Sequence, residues 1–285
     1  MVMFKKYFPR PLRDKIKNSL FYARVRVNVL KKPVRVWFFR EPGFLNFGDE
    51  LTTDIIERLF NKKCELVNID DADLYAVGSI VEIIDREKSK KSYVWGSGFI
   101  SEGGSVVNDS IIFKATRGYL SRRALPEKYH QIAVGDPGLL SNLIYKNLSA
   151  PTDCIGIVPH YNDSNSKILD RAKNDKRYKV ISVRDTPENV VRQLTSCRIV
   201  LSSSLHGLIV ADSFGIPNMH LRLSDKLAGG DYKFKDYYSS IDKDYEQFNK
   251  DDLYDERKIE ALVDAYMPVA ELDKIQQSLI RSFPF

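Results

Sequence analysis

The stretch SSSLHGLIVADSFGIP, residues 202–217, decides the fold. It follows CRIVL (197–201), a short apolar run of the kind that forms a buried strand. GLIVADSFG (207–215) then spaces its apolar residues for a helix packed on a sheet. His206 and the serines before it therefore fall where a strand hands over to a helix. In open α/β sheets that edge binds ligands, and the unpaired amides of a helix start favour anions.

The same alternation extends in both directions. Upstream, strands read in VRVWFF (34–39), DLYAVGSI (73–80), SYVWGSGF (92–99), SIIFKATRG (110–118) and HQIAVGDPG (130–138), with a helix over GDELTTDIIERLF (48–60). KNLSAPTD (146–153) punctuates the chain as a linker. A second series begins at CIGIVPHY (154–161) and runs through a helix over 166–175, YKVISV (178–183), the helix PENVVRQLTSC (187–197) and the strand IPNMHLRL (216–223). GGDYKFKDYYSS (229–240) reads as a polar, aromatic loop, and the tail 258–283 as helix interrupted at Pro268. The fold class is α/β, with two similar halves facing each other across a cleft. The expected boundaries are an arm at 1–32, domains at 33–150 and 151–267, and a C-terminal helix at 268–285 that packs back on the first domain.

Composition agrees with a globular chain of two domains: 285 residues, 43% hydrophobic and 29% charged. Cys64, Cys154 and Cys197 are odd in number and outside any CxxC pattern, which argues against a disulfide framework or a zinc site and for a reducing cytoplasm. No apolar run is long enough to span a bilayer. The net charge of +6 is uneven, because residues 1–32 hold ten Lys/Arg against Asp14 alone. The rest of the chain is slightly acidic, so a nucleic-acid partner is not expected. Within the arm, Leu12, Ile16 and Leu20 share one helical face beside Arg13, Lys15 and Lys17. That pattern suits an anionic membrane surface, or packing on the protein's own body with the cations solvated.

Several strand-end residues have chemistry to offer. Asn46, Gly48 and Asp49 make either a well-capped loop or a pocket floor. Gly98, in GSGF, permits close approach of backbone or ligand, although no full GxGxxG is present. Arg117 follows a strand and precedes a glycine, where its planar fork suits a carboxylate or phosphate, or a surface ion pair. His160 ends the first strand of the second half, where it serves either as a hydrogen-bonded structural residue or as a neighbour of Arg117 and His206. His220, Arg222 and Lys233 lie on later strand ends and loops facing the same way. No cluster of metal ligands stands out.

In that order, NFGDELTTDIIERL, VGSI, VWGSGF, TRGYLSRR, GDPGLL, VPHYND and SSLHGLIVADSFGIP resemble the polysaccharide pyruvyl transferase family over roughly residues 34–240. The resemblance implies two Rossmann-like domains in the arrangement of GT-B glycosyltransferases. It also implies transfer of pyruvate from phosphoenolpyruvate to a sugar of a bacterial surface polysaccharide repeat, as a cyclic ketal. The acceptor is usually lipid-linked at the cytoplasmic face, where the basic arm would dock a peripheral enzyme. The expected roles are His206 and His160 in catalysis, and Arg117, Ser203, Ser204, Gly207, Arg222 and Lys233 around the donor. Asn46, Asp49 and Gly98 would face the acceptor, with no metal and no cofactor beyond the donor substrate. Some members carry arginine where this chain has Ser204, so another cation must replace it. A nucleotide-sugar glycosyltransferase of the same architecture is the alternative, but the first of its two acidic positions, eight residues apart, is Ser204, with Asp212 as the second. The other alternative is a non-catalytic scaffold of the same fold.

Overall fold

The computed structural model describes residues 32–285 except 41–42, 86–89, 147, 149 and 226–227. All of the basic arm but Lys32 lies outside the described residues, and with it the proposed membrane-facing helix. The first sheet contains β1 (Val34–Val36), β2 (Cys64–Leu66), β3 (Leu74–Tyr75), β4 (Ser92–Trp95), β5 (Ile111–Thr116) and β6 (Ala133–Val134), in the order β2-β1-β3-β4-β5-β6. The second contains β7 (Ile155–Val158), β8 (Tyr178–Val180), β9 (Ile199–Ser202), β10 (Asn218–Leu221) and β11 (Gln247–Phe248), in the order β11-β10-β9-β7-β8. Every pairing in both sheets is parallel. Parallel strands require crossover segments, which explains the strand–helix alternation of the sequence.

The helices that matter for the site are α1 (Phe47–Phe60) and, after the short turns α2 (Val81–Ile84), α3 (Tyr119–Arg123), α4 (Ser141–Ile144) and α5 (Leu169–Asn174), the pair α6 (Pro187–Thr195) and α7 (Leu205–Phe214). Helix α8 (Tyr232–Ser240), α9 (Glu256–Ala265) and α10 (Leu272–Ser282) complete the chain. Residues 232–240 correct the loop expected there. Phe234, Tyr237, Tyr238 and Ile241 recur at helical spacing and are all buried, so an apolar stripe fixes the segment as helix.

Every residue of α7 from Leu205 to Ser213 is buried, as expected of a helix enclosed on all sides rather than amphipathic. A Cβ on Gly207 would strike Ser202 and Val158, so this glycine lets α7 lie directly on β7 and β9. The ligand-facing role expected of Gly207 is therefore replaced by packing.

The two sheets are not separated along their whole length. One apolar cluster takes in Val36, Leu51 and Ile55 from the first half and Val158, Val200 and Val210 from the second. The backbone N–H of Phe47 also donates to Val183 O across the two halves at 2.9 Å. Helix α10 lies on the first sheet, where Trp95 Nε1 donates to Leu279 O (2.9 Å) and Phe60 stacks on Phe283 with ring centroids 3.9 Å apart. Among the described residues no helix is long and apolar enough to cross a membrane. The three cysteines are free, with the Cys154 and Cys197 sulfurs 3.0 Å apart at the start of β7 and β9.

Candidate active site

Parallel register aligns the ends of β7, β9 and β10, since Val158 and His220 both stand opposite Ser202. The loops that leave these ends carry His160, Ser203 to His206, and Arg222. The first sheet contributes Asp49 at the start of α1 and Arg117 one residue past β5, and α8 contributes Lys233.

His206 occupies the first turn of α7 and is 9% exposed. Its ring meets Phe47 edge-on, and a Cβ on Gly48 would land on the imidazole. Gly48 thus lets the start of α1 in one half touch the start of α7 in the other. His206 Nε2 is buried and has no hydrogen-bond partner among the described residues. Burial, with Lys233, Arg117 and His160 nearby, pushes its pKa down to about 3, so the imidazole is neutral at physiological pH. Gly48→Ala is expected to force a methyl group into that ring. Overpacking of this kind costs about 1–3 kcal/mol. Urea unfolding should report the loss, and displacement of His206 should lower turnover at least tenfold.

His160 follows β7 and caps the short turn Tyr161–Asp163, where its Nδ1 accepts from the Asn162 N–H at 3.3 Å. Ser203 Oγ accepts from the His160 N–H (2.8 Å) and donates to Asp163 Oδ2 (2.9 Å). Ser203 thus positions the His160 loop, which corrects its expected place on the donor. Burial and then Lys233 hold the His160 pKa down to about 4. Ser204, the residue before α7, makes no side-chain cap, and its backbone N–H donates to Ser202 Oγ at 3.1 Å.

Arg117 and Asp236 are both fully buried. Arg117 Nε donates to Asp236 Oδ2 (2.9 Å), Nη2 to Phe99 O (2.6 Å) and Nη1 to Ser79 Oγ. Asp236 also accepts from the Ser121 N–H (2.7 Å) and hydroxyl (2.6 Å). The guanidinium is therefore enclosed, tying α8 to the first sheet, rather than open as an anion clamp. A Cβ on Gly98 would strike the same guanidinium, so Gly98 makes room for Arg117 and not for an acceptor. Arg222 is also engaged, by Asp225 (2.8 Å) and Asp231 (3.2 Å). His220 stacks on Phe234 and pairs with the Tyr245 hydroxyl at 2.7 Å, behind α8.

Lys233 differs from both arginines. Among the described residues its ammonium makes no hydrogen bond or ion pair. Burial, followed by Arg117, lowers its pKa to about 8, against smaller opposing effects of Asp49 and Asp163. Close by, Asp49 is 6% exposed and its Oδ2 accepts from Asn46 Nδ2 at 2.6 Å. Burial raises the Asp49 pKa to about 7, which the Asn46 hydrogen bond opposes and Glu50 and Asp136 reinforce.

Sequence reasoning missed Asp136 and Asp236. Asp136 is fully buried just past β6, where its Oδ1 accepts from the Gly138 N–H (2.8 Å) and Oδ2 has no hydrogen-bond partner among the described residues. Burial raises its pKa to about 7 as well. Its signal was the strand end in HQIAVGDPG, from which Asp136 was not singled out. Asp236 had no local signal, since its partner lies 119 residues away.

The strand ends of this parallel α/β fold thus gather two imidazoles, two buried carboxyls and a cation that has no ion pair among the described residues. The sequence model of the polysaccharide pyruvyl transferase family matches residues 46–225, more than half of the chain. The chain belongs to the polysaccharide pyruvyl transferase family. It is also 28% identical over 232 residues to the uncharacterized protein L143 of Acanthamoeba polyphaga mimivirus, covering 77% of this chain and 78% of the relative.

Proposed function

We propose that the protein transfers pyruvate from phosphoenolpyruvate to two hydroxyls of one sugar in a polysaccharide repeat, forming a cyclic ketal. The observation that carries this reading is Lys233, a half-buried ammonium that makes no hydrogen bond or ion pair among the described residues. A partly desolvated cation without a counter-ion is unfavourable unless a ligand supplies one. Phosphoenolpyruvate brings a carboxylate and a phosphate on adjacent groups, enough for Lys233 and the amides at the start of α7 together. Lys233 thus stands in for the cation that Ser204 does not supply. Arg117 supports this role indirectly: it anchors α8 through Asp236 and adds positive potential to the site.

The neutral imidazole of His206 suits a base for an attacking hydroxyl, and His160 is a second candidate or an acceptor contact. Asn46 leads into the same pocket floor and faces the sugar. A lipid-linked repeat as acceptor gives the basic arm a use at an anionic membrane. The rival nucleotide-sugar reading finds no support at Asp212, which is buried and accepts from Tyr237 (2.7 Å), Asn218 (3.0 Å), Tyr266 (3.0 Å) and Lys243 (3.2 Å). A carboxylate so occupied has little capacity left for a ribose.

Calorimetric titration tests the reading. Phosphoenolpyruvate is expected to bind with a saturable isotherm, and uridine diphosphate is expected not to bind. Binding of the nucleotide alone would overturn the function while leaving the fold intact.

A further inference from the structure

We propose that Asp49 is the proton donor of the transfer, giving its carboxyl proton to the methylene carbon of the enolpyruvyl group, while His206 Nε2 receives the proton of the first attacking hydroxyl. The assignment rests on the reading of the chain as a phosphoenolpyruvate-dependent transferase.

An enol phosphate becomes electrophilic at C2 only when C3 gains a proton, so the site needs a group that enters the reaction protonated. The histidines do not fit. His206 is buried near Lys233 and Arg117, and His160 is half-buried near Lys233. Among the described residues no carboxylate hydrogen-bonds either ring; Asp163, beside His160, is engaged by Ser203 and Ser224. Asp136 is sealed at 0% exposure within its turn. Asp49 does fit. One carboxyl oxygen is fixed by Asn46, and the other lies against Gly78, where a Cβ would come within 3.1 Å of it. The groups that face it are Glu50 on its own helix, Asp136 from the turn after β6, and Lys233 from α8; burial, with Glu50 and Asp136, outweighs Asn46 and Lys233 and raises the carboxyl pKa to about 7. Its neighbour Gly48 abuts His206, so Asp49 lies one residue from the contact at which α1 meets α7.

The atoms then balance. The Asp49 O–H bond breaks and C3–H forms, the first sugar oxygen bonds to C2, and its proton moves to His206. The C2–O bond to phosphate breaks with its electron pair, and His206 returns its proton to the leaving phosphate. The second sugar oxygen bonds to C2 and its proton restores Asp49. One donor and one diol give one ketal and inorganic phosphate, with the protein unchanged.

The test uses the full chain, wild type and Asp49→Asn, with phosphoenolpyruvate and a set of aryl hexosides bearing free 1,2- and 1,3-diols. Asp49→Asn is expected to bind phosphoenolpyruvate within twofold of wild type and to release phosphate about 10²–10⁴-fold more slowly, the usual range for a lost general acid. Infrared difference spectra of the phosphoenolpyruvate complexes should show a protonated-carboxyl stretch in wild type that Asp49→Asn lacks. In Asn46→Ala, which loses the bond that favours the carboxylate, that band should persist to higher pH, a shift that also serves if Asp49→Asn fails to fold. Turnover of Asp49→Asn within threefold of wild type, loss of its donor binding, or an Asp49 ionised throughout the complex would each overturn the proposal. The infrared result decides alone if no hexoside is turned over. Failure of wild type itself to bind phosphoenolpyruvate is a different result, and it overturns the functional reading together with this one.

Discussion

Lys233→Met is expected to weaken phosphoenolpyruvate binding at least a hundredfold while leaving the folded protein no less stable at neutral pH. Losing one partner of a desolvated charge pair costs about 2–5 kcal/mol of binding, and about 2.7 kcal/mol corresponds to a hundredfold. Stability moves the other way, because the ammonium has no partner among the described residues and methionine keeps much of its shape without the cost of desolvating a charge. The pH dependence has a definite sign. Folding lowers the Lys233 pKa from 10.5 to about 8, so between those values the unfolded chain holds the extra proton and wild-type stability from this group rises with pH. Lys233→Met lacks that contribution, and its gain over wild type is therefore largest below about pH 8 and shrinks above it. Calorimetry with phosphoenolpyruvate, together with urea unfolding at pH 7 and pH 10, measures both effects. Binding within threefold of wild type would remove Lys233 as the donor's cation.

Asp236→Ala is expected to destabilise the fold by about 3–5 kcal/mol, because it strands a fully buried guanidinium. It also removes the acceptor of the Ser121 N–H and hydroxyl. A loss of that size lowers the thermal midpoint by roughly 10 °C in a chain of this length. The double variant Arg117→Met/Asp236→Leu should recover most of it, since apolar side chains of similar volume replace buried ion pairs at little cost. The coupling energy from the four unfolding curves checks this, and additive losses would show that the pair does not hold α8 in place. Because α8 carries Lys233, Asp236→Ala should also weaken donor binding.

How much could be read beforehand differs from residue to residue. Most strands and helices from Val34 to Leu221 are legible because a parallel sheet buried on both faces writes itself as apolar runs separated by turn residues; the largely exposed β2 (Cys64–Leu66) has no such run and was not read. Their observed cores are shorter than the apolar runs; β1, for example, covers Val34–Val36 of a run extending to Phe39. The position of His206 at the start of a buried helix was likewise plain from its flanks. Helix α8 was misread although Phe234, Tyr237, Tyr238 and Ile241 stand at helical spacing, because paired glycines and charged residues surround them. The roles of Arg117, Gly98 and Gly207 were misread for a deeper reason. A strand-end arginine and two glycines look alike whether a ligand or a neighbouring side chain fills the space beside them.

The sequence by itself determined the α/β class, the succession of two strand–helix series, and the strand edge at which His160, His206 and Asp49 gather, since periodicity and turn chemistry act over a few residues. Only the tertiary structure decided which charges are spoken for. Arg117 meets Asp236 across 119 residues of chain, and Gly48 meets His206 across the junction of the two halves. Burial and proximity across such distances set whether a cation is paired, an imidazole neutral or a carboxyl protonated. Pairing of this kind leaves Arg117 and Arg222 compensated, and Lys233 without an ion pair among the described residues.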